Sequence, residues 1–193
     1  MKRVCVFCGS SSGKRSVFAE AADQLAEALV RRELQVVCGG AKVGLMGVVA
    51  DAVLQRGGEV IGVIPRMLMK KEVVHEGLTE LHVVSSMHER KAKMAELADG
   101  FLSLPGGLGT WEETLEMLTW AQLGIHNKPC ALLNVGDFFT PLVQLFERGR
   151  AEGFVRAEHL DLLLVDDAPD SLLARMESYE PPKQAKWLDR DQS

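Results

Sequence analysis

Short apolar runs alternate with longer stretches in which apolar residues recur every three or four positions, almost from one end of the chain to the other. Runs at 4–7, 35–38, 60–64, 81–84, 101–104, 130–134 and 162–165 have strand length and are bounded by turn residues or charges. Between them, 17–32 carries Leu25, Ala28 and Leu29 at helical spacing. A second helix follows the glycines of 39–47 and stops at Gly57-Gly58, a third covers about 87–98, and a fourth begins near Trp111. Segment 66–79 has mixed polarity and reads as a lid or a short helix, and the chain from Pro181 reads as a tail. Strands alternating with helices predict an α/β fold. It is a Rossmann-like, doubly wound parallel sheet with helices on both faces, spanning 1–180 as one domain, with 181–193 as a C-terminal tail. Such sheets bind ligands at the carboxyl ends of their strands, where the glycine-bearing turns 9–13, 39–47 and 106–109 all fall.

The run Leu104-Pro105-Gly106-Gly107-Leu108-Gly109-Thr110-Trp111-Glu112-Glu113 joins the fifth strand to the fourth helix. A strand that turns through glycines into a helix presents unpaired backbone N–H groups at the positive end of the helix dipole, an arrangement suited to phosphate. The carboxylates of Glu112 and Glu113 beside an anion site oppose binding unless they act chemically. A nucleoside-triphosphatase loop would need Lys and then Ser or Thr after its last Gly, where this chain has Thr110 and Trp111. A dinucleotide fingerprint would need a third Gly at Glu112. The same residues also read as a capping box, Thr110-x-x-Glu113, in which Glu113 only returns a hydrogen bond to the backbone of Thr110.

Net charge of −5, from 22 basic and 27 acidic residues, argues against nucleic acid as a partner. Basic residues gather only locally, at Lys14/Arg15 and Arg90/Lys91/Lys93. No apolar stretch approaches the roughly 20 residues of a membrane span, and the run after Met1-Lys2-Arg3 is too short for a signal sequence, so no membrane partner and a cytoplasmic location are expected. Cys5 and Cys8 have redox or zinc spacing, but residues three apart in a strand face opposite sides, so core packing is the reading. The five histidines show no ligand spacing, and no metal and no organic cofactor are expected. Met87, Met94 and Met117 read as core, and Leu115, Leu118, Trp120 and Leu123 as core or as half of a dimer interface.

Four motifs together resemble the Lonely Guy family, nucleotide-cleaving enzymes formerly labelled lysine decarboxylases. They are Val6-Phe7-Cys8-Gly9-Ser10-Ser11, Gly39-Gly40-Ala41-Lys42-Val43-Gly44-Leu45-Met46-Gly47, Met87-His88-Glu89-Arg90-Lys91, and Pro105 to Glu113. Thr119-Trp120-Ala121-Gln122-Leu123-Gly124 adds to the pattern. The resemblance implies a homodimer that hydrolyses the N-glycosidic bond of adenine-type nucleoside 5′-monophosphates, AMP or cytokinin riboside monophosphates, to free base and ribose 5-phosphate. By that resemblance Arg90 and Glu113 are the catalytic pair, and Glu72, Lys91, Gly107, Leu108, Gly109, Thr110, Glu112 and Thr119 contact substrate. Gly9, Ser10, Gly40, Gly44, Met46 and Gly106, from the glycine turns, are expected to line the same pocket. Ala41 stands where the family has a third Gly, Leu108 where an aromatic is frequent, and Trp111 where Leu is frequent.

A carboxylate suits this chemistry, because breaking the bond builds positive charge on the ribose and needs an activated water. Without the resemblance, Arg90 and Lys91 read as a solvated helix face. Two other classes compete. One is a non-catalytic nucleotide or molybdenum-cofactor carrier with a similar glycine-rich fold. The other is a pyridoxal-phosphate decarboxylase, for which no lysine sits in an evident anchoring motif.

Overall fold

Among the described residues, seven parallel strands form one sheet in the order β4-β3-β2-β1-β5-β6-β7. They are β1 (Arg3–Phe7), β2 (Gln35–Cys38), β3 (Val60–Pro65), β4 (Glu80–Val84), β5 (Gly100–Ser103), β6 (Cys130–Leu133) and β7 (Leu163–Asp166). The helices are α1 (Val17–Arg31), α2 (Gly44–Gln55), α3 (Met87–Leu97), α4 (Leu108–Gln122), α5 (Thr140–Ala151), α6 (Ala157–Leu160) and α7 (Pro169–Glu177). The computed structural model describes residues 1–69 and 74–182. The doubly wound sheet anticipated from the periodicity is present, with strand ends within a residue or two of those expected. Helices α5, α6 and α7 add to the elements legible in the sequence. The described part of segment 66–79 forms turns followed by an isolated bridge from Val74 to Ala41 rather than a helix. From residue 183 the expected tail lies outside the described residues.

The central strands are buried on both faces, which is why they read as unbroken apolar runs. One layer of core joins α1, α2 and α7 through Val4, Val6, Leu25, Leu29, Val53 and Leu172. The other joins α3 and α4 through Cys5, Phe7, Val37, Met94 and Met117. Cys5 and Cys8 therefore serve opposite layers, as strand alternation requires, and all four cysteines are buried and unpaired. Met94 and Met117 are core as expected, whereas Met87 is 37% exposed because it opens α3 at the rim of the site.

The chain winds outward from β1 toward β4 and, after crossing back, from β5 toward β7. The gap between the loops that follow β1 and β5 is thus the switch point, where neighbouring loops diverge and leave a crevice.

Candidate active site

Three loops meet at this crevice. Gly9 N–H donates to Pro105 O at 3.1 Å, and Gly9 O accepts from Leu45 N–H at 3.0 Å, so one glycine joins the turns after β1, β2 and β5. A cavity of about 220 Å³ opens there, lined by Gly9, Ser10, Ser12, Leu45, Gly106 and Gly107 together with Phe18 and Phe138. Gly44 has φ +57°, and a Cβ there would collide with the backbone of Ser10 and Ser11, so only glycine lets α2 begin this close to the first loop. Positive φ falls at Gly40 and Gly44 and not at Ala41, which is why alanine is accommodated at 41.

Helix α4 begins at Leu108, three residues earlier than its amphipathic pattern shows, because Gly107 is the N-cap and Leu108 and Gly109 are exposed. No side chain caps it, and the capping-box reading of Thr110 and Glu113 is overturned. Thr110 lies inside the first turn and Glu113 one turn further on. The leading N–H groups of α4, not satisfied by a cap, face the crevice beside Gly106 and Gly107. Thr114 Oγ1 donates to Thr110 O at 2.6 Å and lies 2.7 Å from Ser103 Oγ, tying this helix start to β5.

Helix α3 is set by its cap. Ser86 Oγ accepts from Glu89 N–H at 3.1 Å, and Glu89 Oε2 accepts from Ser85 N–H at 2.7 Å. This places Arg90 and Lys91 in the second turn, turned inward; both are buried, 7% exposed, so the solvated-face reading does not hold. Arg90 Nη2 is 3.8 Å from Glu113 Oε1. Gly39, at the end of β2, supplies the seat: a Cβ there would overlap Arg90 Nη2 and crowd Met46 Sδ. Met46 Sδ in turn accepts from Ala41 N–H at 3.4 Å, and Met87 Sδ is 3.9 Å from Arg90 Nη1. Arg90 Nε is buried without a hydrogen-bond partner among the described residues.

Burial pushes the Glu113 carboxyl up to about 7; the Arg90 guanidinium pulls it down and the Glu112 charge adds to the rise. Glu113 thus changes charge near neutral pH, a poise suited to proton transfer. Lys91 is the reverse case. Burial alone would lower its pKa, but hydrogen bonds from its ammonium to Glu112 and Glu116 raise it overall. A lysine held protonated between two carboxylates is not a Schiff-base nucleophile.

The structure brings together Gly9, Ser10, Gly40, Gly44, Met46, Gly106, Gly107, Leu108, Gly109, Thr110, Arg90 and Glu113 around one sheet edge. Lys91 and Glu112 are engaged with each other just behind the pair. Thr119 stands apart: it is exposed about three turns along α4 from the helix start, with its hydroxyl donating to Leu115 O at 2.7 Å. Glu72 lies outside the described residues. Glu116 and Gly39 were not singled out in the sequence. A carboxylate one turn after Glu112 is the signal that marks Glu116, whereas nothing in the pattern marks Gly39 as the seat for Arg90. His75 was also missed. It is 6% exposed, and its ring Nε2 lies 3.0 Å from Asp51 Oδ1 while its backbone N–H donates to Gly40 O, which fixes the second glycine turn. Among the described residues no group of His, Cys, Asp and Glu is arranged to hold a metal ion.

The fold and this site define a Rossmann-like α/β protein with a glycine-led helix start, uncapped by any side chain, beside a buried carboxylate–guanidinium pair. Residues 46–176 match the family model described as "possible lysine decarboxylase". A probable cytokinin riboside 5′-monophosphate phosphoribohydrolase of rice (Oryza sativa subsp. japonica) is 51% identical over 177 residues, covering 92% of this chain and 79% of that protein. A cytokinin riboside 5′-monophosphate phosphoribohydrolase of Arabidopsis thaliana is 48% identical over 180 residues, covering 93% and 79%. The chain belongs to this family, the Lonely Guy family. Among solved structures, the molybdenum cofactor carrier protein of Chlamydomonas reinhardtii superposes with a TM-score of 0.70 over 92% of this chain and 96% of its own, at 18% identity. That likeness concerns the fold alone.

Proposed function

We propose that the protein hydrolyses the N-glycosidic bond of adenine-type nucleoside 5′-monophosphates, AMP or N6-substituted cytokinin riboside monophosphates, giving free base and ribose 5-phosphate. The observation that carries this reading is the buried Arg90–Glu113 pair directly behind the start of α4. The relatives named as phosphoribohydrolases support it.

In the proposed mechanism the 5′-phosphate accepts from the N–H groups at the start of α4 and from the Gly106–Gly107 turn. Glu113 lies about 7.5 Å along the helix axis from Leu108 at 1.5 Å per residue, a span that a ribose 5-phosphate bridges. Arg90, with unspent donors, holds a ribose hydroxyl or phosphate oxygen. Ionised Glu113 faces C1′, stabilises positive charge as the C1′–N bond breaks, and takes a proton from the water whose oxygen bonds to C1′. The departing base takes up that proton on its ring nitrogen, which returns Glu113 to its ionised form. Ser10, Gly40, Gly44 and Met46 shape the walls, and Glu72 is proposed to contact substrate.

The protein is further proposed to act as a homodimer through the exposed face of α4, where Trp111, Leu115 and Leu123 are open to solvent while Leu118 and Trp120 pack on the core. Thr119 belongs to that face, so its proposed substrate contact is made across the dimer. A reducing, cytoplasmic setting is proposed from the four unpaired thiols; no described helix is long and apolar enough to cross a membrane.

The test is incubation with AMP and, separately, isopentenyladenosine 5′-monophosphate without added metal, with free base and ribose 5-phosphate measured by chromatography. Release of both products is expected. Nucleotide binding without release of base would turn the reading to a carrier.

A further inference from the structure

Lys91 follows Arg90 in α3, as Glu112 precedes Glu113 in α4, so the two helices face each other through two adjacent pairs. The pairs differ in tightness. Arg90 and Glu113 stand 3.8 Å apart, beyond hydrogen-bond range, whereas Lys91 Nζ is hydrogen-bonded to Glu112 Oε1 and lies 3.0 Å from Glu116 Oε2. Glu112 and Glu116 are one helical turn apart on α4, a spacing at which like charges repel, and the Lys91 ammonium between them turns repulsion into a clamp. Within this clamp the Lys91 side chain is nearly enclosed; of its two partners Glu116 is the more buried, 23% exposed against 53% for Glu112. Water and salt therefore screen the Glu116 contact less.

The clamp has a mechanical consequence. Helix α3 packs on β1 to β4, most heavily on β3, whereas α4 packs on β1, β5 and β6, so apart from the shared β1 different strands position the two catalytic side chains. The Lys91 bridge ties the two helices together next to the reacting pair. We infer that Glu116 is a positioning residue: with Glu112 it locks Lys91, and the locked bridge holds α3 and α4 at the spacing that keeps Arg90 and Glu113 close but unbonded, free for substrate. The inference rests on the reading of Arg90 and Glu113 as the reacting pair.

Glu113 is faced by Arg90 and Lys91 from α3, by Glu112 and Glu116 from its own helix, and by the Cys5 and Cys8 thiols from β1 and its loop. Replacing Glu116 by Gln removes a negative neighbour and leaves the Lys91 charge half-compensated. Both changes favour ionised Glu113, so the acid limb of the rate profile moves to lower pH.

The experiment compares Glu116→Gln and Glu116→Asp with the unaltered protein, on AMP, reading kcat, KM, the pH profile and the thermal midpoint. For Glu116→Gln, kcat is expected to fall about 10- to 100-fold, as for a small misplacement of reacting groups. KM is expected to stay within about twofold, since ground-state contacts remain. The acid limb moves down in pH, and Glu116→Asp, which keeps the charge, recovers most of the rate. An unchanged kcat and limb, a loss confined to KM, or equal damage in both variants with a lowered midpoint would each overturn the inference. If the unaltered protein releases no base, the parent reading fails by itself. The clamp is then read by carboxyl NMR titration of Glu113, where Glu116→Gln must lower its midpoint and an unmoved midpoint rejects it.

Discussion

Arg90 Nη2 and Glu113 Oε1 face each other across 3.8 Å inside a site where both side chains are nearly enclosed. A buried guanidinium ordinarily forms close, bidentate contacts with its carboxylate. Here the gap is held open by the Gly39 seat on one side and the Lys91 bridge on the other, and Arg90 Nε remains unpartnered among the described residues. Unspent donors beside a carboxyl of raised pKa are what a nucleotide with ribose hydroxyls and phosphate oxygens would engage.

Activity is expected to depend on the charge of Glu113. Its carboxyl is pushed up to about 7, and the proposed chemistry uses the ionised form, so kcat should rise with pH through about 7 and level above it. Glu113→Gln should lower kcat by about 100- to 1,000-fold and abolish that limb. Steady-state rates on AMP between pH 5 and 9 check both; full activity in the variant would remove Glu113 from the mechanism.

The same residue should limit stability. An acid whose folded pKa exceeds its unfolded value stabilises the fold below the unfolded value, and this contribution is lost as pH rises through the folded one. For Glu113 the window runs from the ordinary glutamate value of 4.5 up to about 7. Glu113→Gln imitates the protonated form. It should therefore match the unaltered protein near the lower end of that window and exceed it at pH 8 by about 1–3 kcal/mol, the range one to two pKa units convert to. Calorimetry at the two pH values reads the difference, and a lower midpoint at pH 8 would contradict it.

Gly39→Ala should damage catalysis more than folding. The backbone at 39 is ordinary, but the added methyl enters the space of the Arg90 guanidinium and Met46 sulfur. A displaced Arg90 should cost about 100-fold in kcat/KM, as misplacements near 1 Å do. The thermal midpoint should fall only slightly, because both neighbours are ends of flexible side chains. Rates and midpoint measured on one preparation separate the two effects.

Gly44→Ala should instead impair the fold. Here φ is +57° and the new Cβ meets the backbone of Ser10 and Ser11, which side-chain motion cannot relieve. A loss of about 3 kcal/mol or more is expected from backbone strain combined with overpacking. Denaturant unfolding of Gly44→Ala beside Gly39→Ala should rank them in that order.

The proposed dimer face is open to a direct test. Leu115→Asp places a charge among Trp111, Leu115 and Leu123 without touching the core. Sedimentation velocity should show the unaltered protein as a dimer and the variant shifted toward monomer. A concentration-independent monomer for the unaltered chain would end the dimer proposal.

The sheet, its strand limits and the edge carrying the glycine loops were legible in the sequence because burial on both faces leaves unbroken runs such as Val4–Phe7, and turns need glycine whatever their neighbours. The start of α4 was not. Leu108 and Gly109 carry no apolar period, since the first turn is held by backbone geometry at Gly107 rather than by packing. The local signature at Thr110 and Glu113 matched a capping box, yet burial of both residues and the earlier start overruled it.

By itself the sequence determined which residues are chemically able to act: a carboxylate one turn behind a glycine-led helix, and two cations beginning another helix. Only the tertiary structure decided which of them face each other. Arg90 and Lys91 are neighbours in sequence, but a step of 100° around the helix sends one to Gly39 and Glu113 and the other to Glu112 and Glu116. The pKa of Glu113 is likewise a property of the assembled site. It follows from how much water is removed and which charges remain near, and neither quantity exists until α3, α4 and the sheet edge are brought together.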